Sequence, residues 1–144
     1  MMLEQIRASR AFEDVGEVKK RGPAFCGEYK PLAMKFAALI RSAGLCQALH
    51  FLKAKAGKAA KDKPNAHAMF LEHLGGQLQR IDPAIKANEE KKHSMGDVLC
   101  DRVRQTKDLA QYLRLTREAL AVAHWYSRLA RAELGDEPQP GVNS

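Results

Sequence analysis

At 144 residues, with 45% hydrophobic and 28% charged side chains, the chain has the size and apolar content of one folded domain, which excludes global disorder. Its formal net charge of +7 points to an anionic partner, most often nucleic acid. Three scattered cysteines (Cys26, Cys46 and Cys100) form no C-x-x-C pair, which excludes a disulfide or zinc framework and fits reduced thiols in the cytoplasm.

The N-terminus mixes charges from Glu4 onward and has no apolar h-region, so no secretory signal is expected. No run approaches the roughly 18 uninterrupted apolar residues of a membrane span. The pattern is helical nearly throughout, with no alternating β-branched runs and no internal repeat. The expected fold is all-α: a single-domain bundle of about six helices over residues 1–135.

Leu3, Ala8, Ala11, Phe12, Val15 and Val18 mark the apolar stripe of a first helix, stopped by Gly22 and Pro23. Pro31 suits the first turn of a second helix, unless that helix begins earlier and kinks. Its stripe is Leu32, Phe36, Leu39 and Ile40, and Gly44 has the position of a helix stop. Leu45, Ala48, Leu49 and Leu52 then define a third helix, which frays near Gly57. Asp62 or Asn65 is placed to cap a fourth, with the stripe Ala66, Phe70, Leu74 and Leu78 and a weak point at Gly75-Gly76. "IDPAIKANEEKKHS" reads as mostly loop, and Ser94 as the cap of a short fifth helix. The last helix, from about Asp108 to Leu134, carries "ALAVAHWY", apolar on almost every side. That places it at the centre of the bundle, with His124 as a satisfied core histidine. The tail 136–144 is rich in Pro and Gly and is expected to be disordered.

Catalytic signals are thin. Cys46 and His50 stand at i,i+4 on the third helix. A nucleophile–base pair needs a third orienting group, and a metal site needs two more ligands; nothing nearby supplies either. The plainer reading is a small apolar cysteine and a half-buried histidine. His67 and His73 are six apart and do not share a face closely, and Glu13-Asp14 and Glu89-Glu90 read as solvated charge. Neither a metal nor a cofactor is expected.

The charge is lopsided. Between Lys19 and Lys63 stand eleven basic residues against Glu28 and Asp62, a net +9 that exceeds the whole chain's +7. Lysines among small residues suit contact with phosphate backbone rather than base reading. The candidate nucleic-acid contacts are Lys19, Lys20, Arg21, Lys30, Arg41, Lys53, Lys55, Lys58, Lys61 and Lys63. Arg114, Arg117, Arg128 and Arg131 form a second basic set, partly offset by Glu118 and Glu133. Two other readings stay open: an adaptor whose basic block meets acidic protein partners, and a thiol or metal enzyme built on Cys46 and His50.

Two stretches, "YKPLAMKFAALIRSAGLCQALHFL" (29–52) and "YLRLTREALAVAHWYSRLARAEL" (112–134), together resemble signature segments of the small α-helical subunit of the type III-B CRISPR effector, the Cmr complex. Matching positions include Tyr29, Gly44, Leu45, Gln47, Phe51, Leu52, Trp125 and Arg128. The resemblance implies a non-catalytic subunit with no cofactor, partnered by other subunits of an RNA-targeting complex. It implies self-association of copies into a short filament and a positive surface for the crRNA and target RNA backbone. It assigns helix packing to Gly44, Leu45, Gln47, Phe51, Leu52 and Trp125, and adds Arg128 to the candidate RNA contacts. The sequence departs from the family pattern at Ala43, Cys46, His50, Tyr126, Ser127, Leu129 and Arg131, and positions 46 and 50 are enlarged on one face.

Overall fold

The structure is a computed structural model that describes residues 2–57 and 63–135. Asp62, Lys58, Lys61 and the tail 136–144 lie outside the described residues. Six helices follow one another: α1 (Leu3–Lys19), α2 (Pro23–Ala43), α3 (Leu45–Ala56), α4 (Ala66–Leu78), α5 (Met95–Gln105) and α6 (Leu109–Glu133). Among the described residues the β pairing amounts to one bridge between Asn88 and His93 in the α4–α5 loop.

The helix ends follow from local chemistry. Pro23 opens α2 at its first position, so Pro31 sits inside the helix, where it has no N–H to donate to the preceding turn. Gly44 serves two helices at once: its N–H donates to the Ile40 carbonyl at 2.8 Å, and its carbonyl accepts from Ala48 at 3.0 Å. Its backbone, at φ +86° and ψ 160°, lies in a region essentially reserved for glycine. Asn65 caps α4 by accepting from the Ala68 N–H at 2.8 Å, while its Nδ2 donates to the carbonyls of Lys55 and Ala56. One side chain thus satisfies the open end of α3 and the start of α4. Ser94 and Asp97 form a reciprocal capping box on α5.

The helix at the centre is α4, not α6. It touches all five others and buries nine of its thirteen residues. Phe70 is its hub, meeting Tyr29, Phe36 and Tyr126 edge-on at 5.3–5.6 Å between ring centroids. Each fully buried side chain of this size contributes about 1.5–3 kcal/mol. Gly75-Gly76 leaves α4 unbroken. Across the α4–α5 crossing, a Cβ at Gly96 would fall 2.7 Å from Leu71 Cγ, so glycine there permits the close approach. In α6 a buried strip, including Leu115, Val122, Tyr126 and Ala130, is backed by an exposed face, and His124 lies on that exposed face rather than in the core. The stripe expected for α1 is only partly buried. Ala11, Val15 and Val18 are buried, whereas Phe12, about 100° further round the helix, is 55% exposed.

Candidate nucleic-acid interface

Arg7 pairs with Glu118 and Lys19 approaches Glu133, so α1 runs alongside α6 in the same direction. Lys30 donates to the Gly135 carbonyl and Arg41 reaches His124, so α2 runs against them. Asn65 holds the end of α3 to the start of α4. Burial lowers the pKa of His67, with smaller opposed effects from Glu28 and Lys55. The topology therefore gathers Lys19, Lys20, Arg21 and Lys30 where α1 and α6 end and α2 begins, while Lys55 and Lys63 flank the α3–α4 junction. Among the described residues the acids at this end are Glu17, Glu28 and Glu133, with Glu133 at 3.8 Å from Lys19. A groove of about 900 Å³ opens here between α2 and the end of α6, with Lys19, Lys30 and Lys35 on its rim and Cys26, Met34 and Leu134 in its wall.

The other predicted contacts lie apart from this end. Arg41 stands eleven residues beyond Lys30, about 16 Å along α2. Lys53 faces Asp97 at 3.9 Å, beside a cleft of about 650 Å³ between α3, α4 and α5. Arg128 lies over the Trp125 ring at 5.3 Å, and the Trp125 indole donates to Glu4 at 3.1 Å. Lys58 and Lys61 fall outside the described residues.

The residues assigned to packing by resemblance divide. Leu45 and Leu52 are buried, and Trp125 is partly buried against the core. Gln47 is exposed and Phe51 is 45% exposed with Lys55 over its ring. They stand on the face of α3 opposite Leu45, Leu49 and Leu52, so they hold no helices together within this chain.

Two polar clusters had no local signal in the sequence. The first joins four elements at the core. Tyr29 Oη lies 2.7 Å from His73 Nδ1, Tyr126 donates to Asp14 at 2.5 Å, and His73 Nε2 is 3.8 Å from Asp14. Burial, aided by the charge of Arg21, pushes the His73 pKa down to about 3. Burial also pushes Asp14 up to about 6, against the hydrogen bond from Tyr126. Asp14 is therefore a core partner rather than solvated charge. In the second cluster Glu118, 6% exposed, accepts from both Arg7 and Arg80. It turns into the bundle and does not offset the arginines on α6.

Cys46 and His50 acquire no catalytic geometry. The Cys46 N–H donates to Tyr112 Oη at 3.1 Å, which satisfies an open donor in the first turn of α3. Among the described residues His50 Nε2 is buried with no hydrogen-bond partner, and no third group orients the pair. Among the described residues no three of His, Cys, Asp and Glu converge on one point. No described helix is long and apolar enough to cross a membrane.

A family model described as CRISPR-associated protein (Cas_Cmr5) matches residues 3–133. The chain belongs to the Cmr5 family. A relative from Thermus thermophilus, named CRISPR system Cmr subunit Cmr5, is 35% identical over 128 residues, covering 89% of this chain and 92% of the relative. A crystal structure of a CRISPR-associated Cmr5 family protein from the same organism superposes with a TM-score of 0.68 at 33% identity, over 92% of this chain and 98% of that one. The Cmr5 match runs through all six helices, so it includes both the basic end and the α2–α3 turn at Gly44.

Proposed function

We propose that this chain is the non-catalytic small subunit of a type III-B, RNA-targeting CRISPR effector in the cytoplasm. It stacks with like and other subunits and holds the guide–target RNA backbone. Membership of the Cmr5 family along nearly the whole chain carries this reading. The cations collected at one end of the bundle support it, because lysines in that arrangement neutralise phosphates without reading bases. Exposed Phe12 and Phe51 on α1 and α3, and Leu109 and Leu113 at the start of α6, are the apolar contacts that a stacked subunit would offer its neighbours.

The test is filter binding of single-stranded RNA across a salt series. Affinity should fall steeply with salt, and replacing Lys19, Lys20, Arg21, Lys55 and Lys63 by Glu should weaken it. In the assembled complex the same variant should retain less target RNA. A flat salt response would sink the phosphate-contact reading.

A further inference from the structure

We infer that the exposed face of α6 is a second phosphate-binding surface, an arginine ridge along which one strand of RNA backbone lies. This rests on the RNA-holding reading above and adds a surface separate from the basic end.

Arg114, Arg117, Ala121, His124, Arg128 and Arg131 follow one another at alternating steps of three and four residues. At 100° per residue they occupy one arc of the helix, opposite Leu115, Val122 and Tyr126. All are exposed except Ala121, which is half-buried. From Arg114 to Arg131 the ridge runs about 26 Å. Arg41 joins it from α2, with its guanidinium 3.0 Å from His124 Nε2.

No carboxylate answers this charge from within the helix. The acids of α6 are Glu118 and Glu133. Glu118 turns inward to Arg7 and Arg80, and Glu133 lies at 3.8 Å from Lys19. Among the described residues, none of Arg114, Arg117, Arg128 and Arg131 forms an ion pair with a carboxylate of another helix. On the α1 side Glu4 accepts from Trp125 and Arg7. Unpaired like charges in a row repel unless a polyanion lies along them. Paired arginines at both ends of the ridge, with Arg41 reaching its middle at His124 and the one flanking indole under Arg128, match the phosphates of one extended strand better than an irregular acidic peptide.

The test compares four full-length variants for binding a fluorescent poly(U) strand in a salt series, with thermal melting to confirm folding. R114Q/R117Q/R131Q should reduce the slope of log K against log salt by about 2, from about 0.7 per lost single-strand phosphate contact. R114K/R117K/R131K keeps the charge and should keep the slope. R114Q alone, the mildest change, should reduce it by about 0.7. If K19Q/K20Q/R21Q lowers the slope and the α6 glutamine variants do not, the ridge proposal is overturned while the RNA reading stands. If neither set lowers it, both fail. If polyglutamate competes with poly(U) as effectively as RNA does, the ridge is a surface for acidic protein and the proposal is likewise overturned.

Discussion

Arg7 grips Glu118 with two parallel hydrogen bonds, Nε and Nη2 each donating to a different carboxylate oxygen at 2.7 Å. Arg80 adds a third to Oε2 at 2.8 Å. Burial alone would raise the Glu118 carboxyl, but the hydrogen bonds from Arg7 and then Arg80 outweigh it and hold the group below the usual carboxylate range. The cluster ties α1, α4 and α6 together. Removing the carboxylate strands two largely buried guanidiniums, so Glu118→Ala should destabilise by about 3 kcal/mol, read as a shifted urea midpoint. A depressed folded pKa stabilises above the unfolded value, and that part should fade as pH falls below about 4.

Asp14 and His73 set opposite pH dependences within one contact. His73, held to about 3, binds fewer protons folded than unfolded, so its part of the stability is lost as pH falls below about 6.5. Asp14, raised to about 6, binds more protons folded than unfolded, so its part grows as pH falls from about 6 towards about 4. Between pH 7 and 5 the two oppose each other, and the loss through His73 outweighs the gain through Asp14. Asp14→Asn leaves His73 acting alone and should lose about 2 kcal/mol over that interval. His73→Gln leaves Asp14 and should gain about 1 kcal/mol. Urea titrations at pH 5 and 7 would check this, and parallel behaviour of the two variants would contradict the assignment.

Thiol chemistry gives a third check. Cys26 donates to the Val18 carbonyl and is buried, and burial pushes the Cys100 thiol up to about 12. Iodoacetamide at pH 8 should therefore leave both unmodified in the native protein and reach Cys46 alone, as read by mass spectrometry. Labelling of Cys100 before unfolding would mean that the α3–α5 contact opens in solution.

What can be read from the sequence is periodic or local. The stripe of α3 (Leu45, Ala48, Leu49 and Leu52) is fully buried, and Asn65 and Ser94 cap the helices they precede. These signals act within one or two turns. The direction a charge faces does not: Glu118 sits among arginines in sequence and reads there as their counter-charge, yet its partners come from α1 and α4. Asp14, Tyr29, His73 and Tyr126 meet only because four helices cross there, so no spacing reveals them. The central helix escapes a sequence reading for a related reason. "ALAVAHWY" is apolar by composition, but its small alanines do not demand burial, whereas α4 carries Phe70, Leu71, Leu74 and Leu78 on adjoining faces. The cationic block is visible as a sum, and its division between the bundle end, Arg41 and the α6 flank needs the topology.

The α2–α3 turn supplies the last prediction. Gly44 holds a backbone conformation that other residues adopt only with strain of about 1–3 kcal/mol. A Cβ there would meet Tyr112 Oη at 3.7 Å, ordinary contact, so the loss in Gly44→Ala should come from the backbone and not from a clash. Tyr112→Phe removes the acceptor for the Cys46 N–H while leaving the ring in place, and should lose about 1 kcal/mol. Cys46 and Gly44 belong to one turn, so the two substitutions share a structural unit and should not add. In Gly44→Ala the first turn of α3 shifts, and Tyr112 then has less to lose. A double mutant whose melting point equals the sum of the single effects would show that the turn and the tyrosine act independently.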